Sequence, residues 1–131
     1  MGDLSGLYVL IVDDNADSRE ITTIVLEQAG ALVKSVDSAE RVLPLLAQCV
    51  PDLLISDVKM PRMSGYMLIE SIRQLPEEKG GTVLAIALTV YAGEPDRQRA
   101  ISAGFQQHLI KPIDPEVLVQ AILDLLHTRG R

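Results

Sequence analysis

Leu7-Tyr8-Val9-Leu10-Ile11-Val12-Asp13-Asp14-Asn15 is where the chain declares its fold. Leu7 to Val12 is an uninterrupted apolar run rich in β-branched side chains. That length suits a strand buried on both faces. Two acids stand at its end. From Asp13 to Ala29 the pattern changes to a helix, with Ile21, Ile24, Val25 and Gln28 at helical spacing and Gly30 as its stop.

The same alternation continues to the end of the chain. Leu32–Val36 reads as a second strand. Asp37 or Ser38 caps the next helix, with Asp37-x-x-Glu40 as a capping box and Ala39, Val42, Leu43 and Leu46 as its apolar positions. Pro44 falls inside it, where a missing donor and a clash with the preceding turn call for a kink or a short helix. Pro51-Asp52 opens the third strand, Leu53–Asp57. A loop with Pro61 and Gly65 leads to a helix from about Ser64 to Leu75, followed by a polar turn, Pro76–Gly81. Thr82–Leu88 is the fourth strand, Glu94–Ala103 a polar helix ended by Gly104, and Gln107–Ile110 a short fifth strand. Asp114-Pro115-Glu116 is a cap with proline at the first helical position. The last helix runs to about His127 with Val117, Leu118, Ile122, Leu125 and Leu126 inward. Five strands and five helices in strict alternation define an α/β protein with a parallel sheet covered on both faces. Right-handed crossovers make it a doubly wound sandwich, with ligands at the carboxyl ends of the strands.

Composition narrows the function. A chain of 131 residues is one domain, 1–131, with its core at about 6–127. One Phe, three Tyr and no Trp leave an aliphatic core. Eighteen acids against twelve bases give a net charge of −6. That excludes a general binder of nucleic acid, which needs a basic face, and a binder of anionic membranes. No apolar run approaches the roughly 20 residues of a spanning helix, and Met1 to Gly6 lack a signal-peptide pattern. Cys49 is the single cysteine and has no internal partner. The expected location is therefore a reducing cytoplasm. Cys49 itself reads as a small buried or half-buried residue. Glu77, Glu78, Arg97 and Arg99 read as solvated surface, and His127 with Thr128 to Arg131 as a fraying end.

Polar residues recur where the strands end. Asp13 and Asp14 follow the first, Asp57 ends the third, Thr89 follows the fourth and Lys111 the fifth. In a parallel sheet these ends share one edge, so the residues converge. Three carboxylates in one pocket repel unless a cation compensates. A hard divalent ion, Mg²⁺ or Mn²⁺, suits oxygen ligands. No zinc-type cluster competes, since His108 and His127 stand apart without thiol partners. Lys111 and the Thr89 hydroxyl supply a point charge and a donor for a second anion. Metal, amine and hydroxyl around a carboxylate describe phosphoryl transfer with the carboxylate as nucleophile.

Val12-Asp13-Asp14-Asn15, Ser56-Asp57-Val58-Lys59-Met60-Pro61 with Gly65, Ala87-Leu88-Thr89 and Lys111-Pro112 stand in order, each at a strand end. Through them the chain resembles a bacterial two-component response-regulator receiver domain over about residues 6 to 127. The resemblance implies a flavodoxin-like sandwich with strand order 2-1-3-4-5. It implies Asp57 as phosphoacceptor, Asp14 as direct Mg²⁺ ligand, Asp13 as its partner through water, and the Lys59 backbone carbonyl in the same shell. Thr89 would donate to the new phosphoryl group and Lys111 would pair with its oxygens. His108 stands where receivers usually carry a Tyr or Phe that turns inward on activation, and Lys111-Pro112 where the peptide bond is usually cis. The implied partners are a histidine kinase or phosphotransfer protein, then an effector or a second copy on the face of the fourth helix, fifth strand and fifth helix. Such a domain is a phosphoacceptor that assists its own phosphorylation and dephosphorylation rather than an enzyme acting on a separate substrate.

Some positions depart from that pattern. Val90 replaces the usual Ala or Gly and is expected to narrow access to Asp57, slowing the phosphorylation cycle. Lys59 can lean over the pocket and pair with Asp14 or Asp57, and Tyr91 stands at the rim. The run from Asp13 to Arg19 resembles the receivers of hybrid sensor kinases, though a stand-alone regulator fits equally. The effector is expected to be another molecule or a further part of the chain. An aspartyl-phosphate phosphatase would need a general acid where Lys59 stands, and a cap domain. A flavodoxin-type flavin carrier would need a phosphate-cradling loop where Asp13 and Asp14 would repel the phosphate.

Overall fold

The structure, a computed structural model, describes residues 3–129. Its strands are β1 (Tyr8–Val12), β2 (Leu32–Val36), β3 (Leu53–Asp57), β4 (Leu84–Thr89) and β5 (Gln107–Ile110). Its helices are α1 (Ala16–Gln28), α2 (Val42–Gln48), α3 (Gly65–Arg73), α4 (Glu94–Ala103) and α5 (Pro115–Arg129). All strand pairs are parallel, in the order β2-β1-β3-β4-β5. The chain leaves β1 to build β2 on one side, then returns to build β3 on the other. Their carboxyl ends therefore part at β1 and β3, the switch point where such sheets carry ligands.

Strand alternation sends side chains into two aliphatic cores. Leu10, Val12, Leu54, Ala85 and Ala87 pack with Val42 and Leu46 of α2, Leu68, Ile69 and Ile72 of α3, and Ala100 of α4. Val9, Ile11, Leu53, Ile55, Ile86 and Leu88 pack with Val25 and Leu26 of α1, and Leu118, Val119 and Ile122 of α5. Strands buried on both faces require the continuous apolar runs seen in the sequence.

Several boundaries and faces differ from the sequence reading. Helix α1 begins at Ala16, and Asn15 caps it by accepting from the Ser18 N–H at 2.8 Å. Asp13 and Asp14 are thus freed from capping. Its inward residues are Thr22, Val25 and Leu26, while Ile21 is 54% exposed and Ile24 faces outward. Thr22 tolerates burial because its hydroxyl donates to the Ser18 carbonyl at 2.9 Å. The Asp37–Glu40 capping box does not form. A 3-10 turn, Ala39–Arg41, precedes α2, Asp37 pairs with Arg41, and Glu40 pairs with Arg62. Pro44 is the third residue of this short helix, where its absent N–H would have had no intrahelical partner. Val117 and Cys49 are exposed. Arg99 is exposed but stacks over the Tyr66 ring at 4.2 Å. Helix α5 extends through Arg129, so His127 to Arg129 are helical where the sequence reading had a fraying end; Gly130 and Arg131, also part of that reading, lie outside the described residues.

Candidate functional site

Four of the five strand-end residues, Asp14, Asp57, Thr89 and Lys111, line one cavity of about 730 Å³, together with Lys59 and Tyr91 among others. Asp13 lies beneath it, 2% exposed. Its backbone N–H extends the β1–β2 pairing by donating to the Val36 carbonyl. Its Oδ1 accepts from the Asn15 N–H at 2.9 Å and its Oδ2 from Lys111 Nζ at 2.9 Å. Asp14 is exposed beside it. Asp57 closes β3, with Oδ1 accepting from the Val58 N–H at 2.7 Å and Oδ2 from Lys111 Nζ at 3.2 Å. Carboxylate oxygens of Asp13, Asp14 and Asp57 lie within 4.8 Å of one another.

Lys111 therefore serves two carboxylates at once. Burial alone would lower its pKa, but the hydrogen bonds and charges of Asp13 and Asp57 outweigh that and raise it. Burial raises the pKa of Asp57; the Lys111 charge opposes this and the Asp13 charge adds to it. One ammonium does not fully neutralise the cluster. An all-oxygen donor set of three carboxylates with residual negative charge fits a hard divalent cation.

Backbone constraints hold these groups in place. Gly65 donates its N–H to the Val58 carbonyl at 2.8 Å, and a Cβ on it would lie 2.2 Å from the Asp57 carbonyl oxygen. Only glycine allows α3 to start so close to Asp57. Thr89 is the last residue of β4 rather than the one after it, and is 1% exposed. Its Oγ1 accepts from the Tyr91 N–H at 3.2 Å. Lys111 continues the β5 pairing by donating its N–H to the Thr89 carbonyl at 2.8 Å, and the Lys111–Pro112 bond is cis.

Three placements refine the sequence reading. Lys59 pairs with neither Asp14 nor Asp57; its Nζ donates to the Tyr91 hydroxyl at 3.2 Å. Val90 lines the cavity yet is 64% exposed, so it forms rim rather than wall. His108 pairs in register with Ala87 and is already buried inward, its Nε2 without a hydrogen-bond partner. The sequence reading missed the role of Arg19, whose Nη1 donates to the Asp13 carbonyl at 2.8 Å and pins the acidic loop. Its spacing from Asp13 was visible, but its direction depended on where α1 began.

Residues 9–123 match the response regulator receiver domain family. An uncharacterised 14.6 kDa protein from the sodA1 3′ region of Leptolyngbya boryana is 45% identical over 122 residues, covering 93% of this chain and 92% of its own. The sensor histidine kinase GacS of Pseudomonas protegens is 37% identical over 116 residues, which cover 88% of this chain and 13% of the kinase. The crystal structure of the signal receiver domain of a signal transduction histidine kinase from Syntrophus aciditrophicus matches with a TM-score of 0.84 at 30% identity, over 96% of this chain and 94% of that one.

Proposed function

The chain belongs to the response-regulator receiver family of two-component signalling, and from that premise we propose that Asp57 is its phosphoacceptor. The donor is a phosphohistidine on a histidine kinase or phosphotransfer protein. A carboxylate oxygen of Asp57 forms a bond to phosphorus as the phosphorus–nitrogen bond breaks. The imidazole leaves with the electron pair and takes up a proton. Hydrolysis later returns the carboxylate and releases inorganic phosphate.

What carries this reading is the meeting of Asp13, Asp14 and Asp57 with Lys111 at the switch point of the sheet. Asp13, Asp14, Asp57 and the Lys59 carbonyl would hold Mg²⁺ or Mn²⁺. When bound, the cation neutralises charge on the transferring phosphoryl oxygens. Lys111 holds Asp57 in place before transfer and pairs with phosphoryl oxygens after it. Thr89 turns its hydroxyl from the Tyr91 N–H toward the new group. The phosphoryl group brings about −1.5 to −2 charges and three acceptor oxygens. Its pull on Thr89 shifts the packing of α4, β5 and α5 around His108, and that face is the output surface for an effector or a second copy. In this reading residues 1–131 form one receiver unit at work in the cytoplasm.

Incubation with Mg²⁺ and acetyl phosphate, followed by intact-mass measurement, tests the assignment. One phosphoryl group is expected on the unaltered protein and none on Asp57→Asn. An adduct that survives the substitution overturns it.

A further inference from the structure

Beside the acidic cavity, and sharing Lys59 and Tyr91 with it, a second cleft of about 310 Å³ opens between α3 and α4. Val58 and the Tyr66 ring, both nearly buried, form its floor. Arg99 reaches across from α4 and lies over the Tyr66 ring, its guanidinium carbon 4.2 Å from the ring centroid. That contact fastens a flexible side chain across the gap between the helices. A guanidinium held by its face keeps its N–H donors at the edge, open to a planar acceptor. Among the described residues, no carboxylate stands within ion-pair distance of Arg99 or Lys59. Asp96, the acid on the wall, is turned back on the first turn of α4, where the helix dipole favours it; its Oδ2 lies 3.2 Å from where a Cβ on Gly93 would stand. Two hydroxyls add donors. Ser64 Oγ accepts from the Met67 N–H and the Tyr91 phenol oxygen accepts from Lys59, so each keeps its own O–H to give. In a chain with a net charge of −6, this wall carries two cations to one acid and a surplus of donors.

We propose that this cleft is a docking site for a short acidic segment of a partner protein. A carboxylate side chain of the segment takes the edge of Arg99, and an adjoining apolar side chain covers the Tyr91 ring. Planar carboxylates match the guanidinium fork with two parallel hydrogen bonds. An exposed ion pair by itself holds weakly, so a free carboxylate would not stay. Tyr91, 40% exposed, supplies an aromatic face that a segment can cover and a free ion cannot. The volume stands at the lower end of the range for small-molecule sites and fits a side chain or two rather than a cofactor. The net negative charge of the chain repels acidic partners at a distance, so recognition is local to the segment that reaches the cleft. No residue of β5 or α5 lines the cleft, and its occupation does not depend on the role of Asp57.

A phage-displayed library of random heptapeptides provides the probe. It is selected against the full chain and, in parallel, against Arg99→Gln, a change at an exposed position that spares the fold. Peptides retained by the unaltered protein are expected to carry Asp or Glu beside an aromatic or aliphatic residue. For the leading synthetic peptide, Arg99→Gln should weaken binding about tenfold, the loss typical of an arginine at the centre of an interface. Arg99→Lys, which keeps the charge but not the planar fork, should restore only part of that loss. Backbone amide shifts on titration should cluster at Ser64, Tyr66, Tyr91 and Arg99. An empty selection, peptides without acids, or peptides that bind Arg99→Gln equally well overturn the proposal, as do shifts centred on Asp57 or on β5 and α5. Concentration-dependent shifts of the cleft residues with no peptide added would assign the cleft to a second copy of this chain and overturn the choice of partner.

Discussion

Asp57 is placed where its charge is costly before any ligand arrives. Burial and Asp13 raise its pKa despite Lys111. A carboxyl whose pKa is higher folded than unfolded stabilises the fold fully below the unfolded value, and that contribution is lost as pH rises through the folded value. Metal-free Asp57→Asn should therefore melt higher than the unaltered protein at pH 7. The gap should close below about pH 4, where the unfolded carboxyl is also protonated. Thermal melts in chelator across pH check this, and equal melting temperatures at pH 7 would contradict it. Val90 tests a different property of the same site. As an exposed rim residue it narrows the approach to Asp57, so Val90→Ala should raise both the phosphorylation and dephosphorylation rates. Unchanged rates would remove it from the account.

At the scale of elements, the tightest constraint is the entry to α3. A methyl group at Gly65 would collide with the Asp57 carbonyl. Gly65→Ala should cost about 2–4 kcal/mol of stability, by overpacking against backbone that cannot yield, and should slow phosphorylation by displacing Asp57. Denaturant melts and acetyl phosphate labelling read the two effects. The central strands β1, β3 and β4 were legible because they are buried on both faces and read as nearly continuous apolar runs. The start of α1 was not. Asp13, Asp14 and Asn15 can all cap a helix, and the choice fell to Asn15 because Asp13 is held by Lys111, 98 residues away. The inward face of α1 was equally hidden, since Thr22 is buried at the expense of Ile21. The site residues were legible as a set because strand ends share an edge. The partner of Lys59 was not, because Tyr91 is brought to it only by the pairing of β3 with β4.

For the whole molecule, the net charge of −6 has a local meaning. Three of its acids gather at one edge of the sheet, as a donor set that a hard divalent cation would fit. A ligand that binds only the folded state at 100 times its dissociation constant stabilises by about 2.7 kcal/mol. For a domain of this size that is on the order of 10 °C in melting temperature. Mg²⁺ should produce a shift of that order, and Asp14→Asn should abolish most of it by removing one of the three clustered carboxylates, while its exposed position spares the metal-free fold. The central claim is that phosphoryl transfer ends on Asp57. Borohydride reduction of the protein labelled with acetyl phosphate converts an aspartyl phosphate to homoserine, and peptide mass mapping locates it. Homoserine at position 57 alone is the predicted result; homoserine at position 13 or 14 with Asp57 intact would contradict the account.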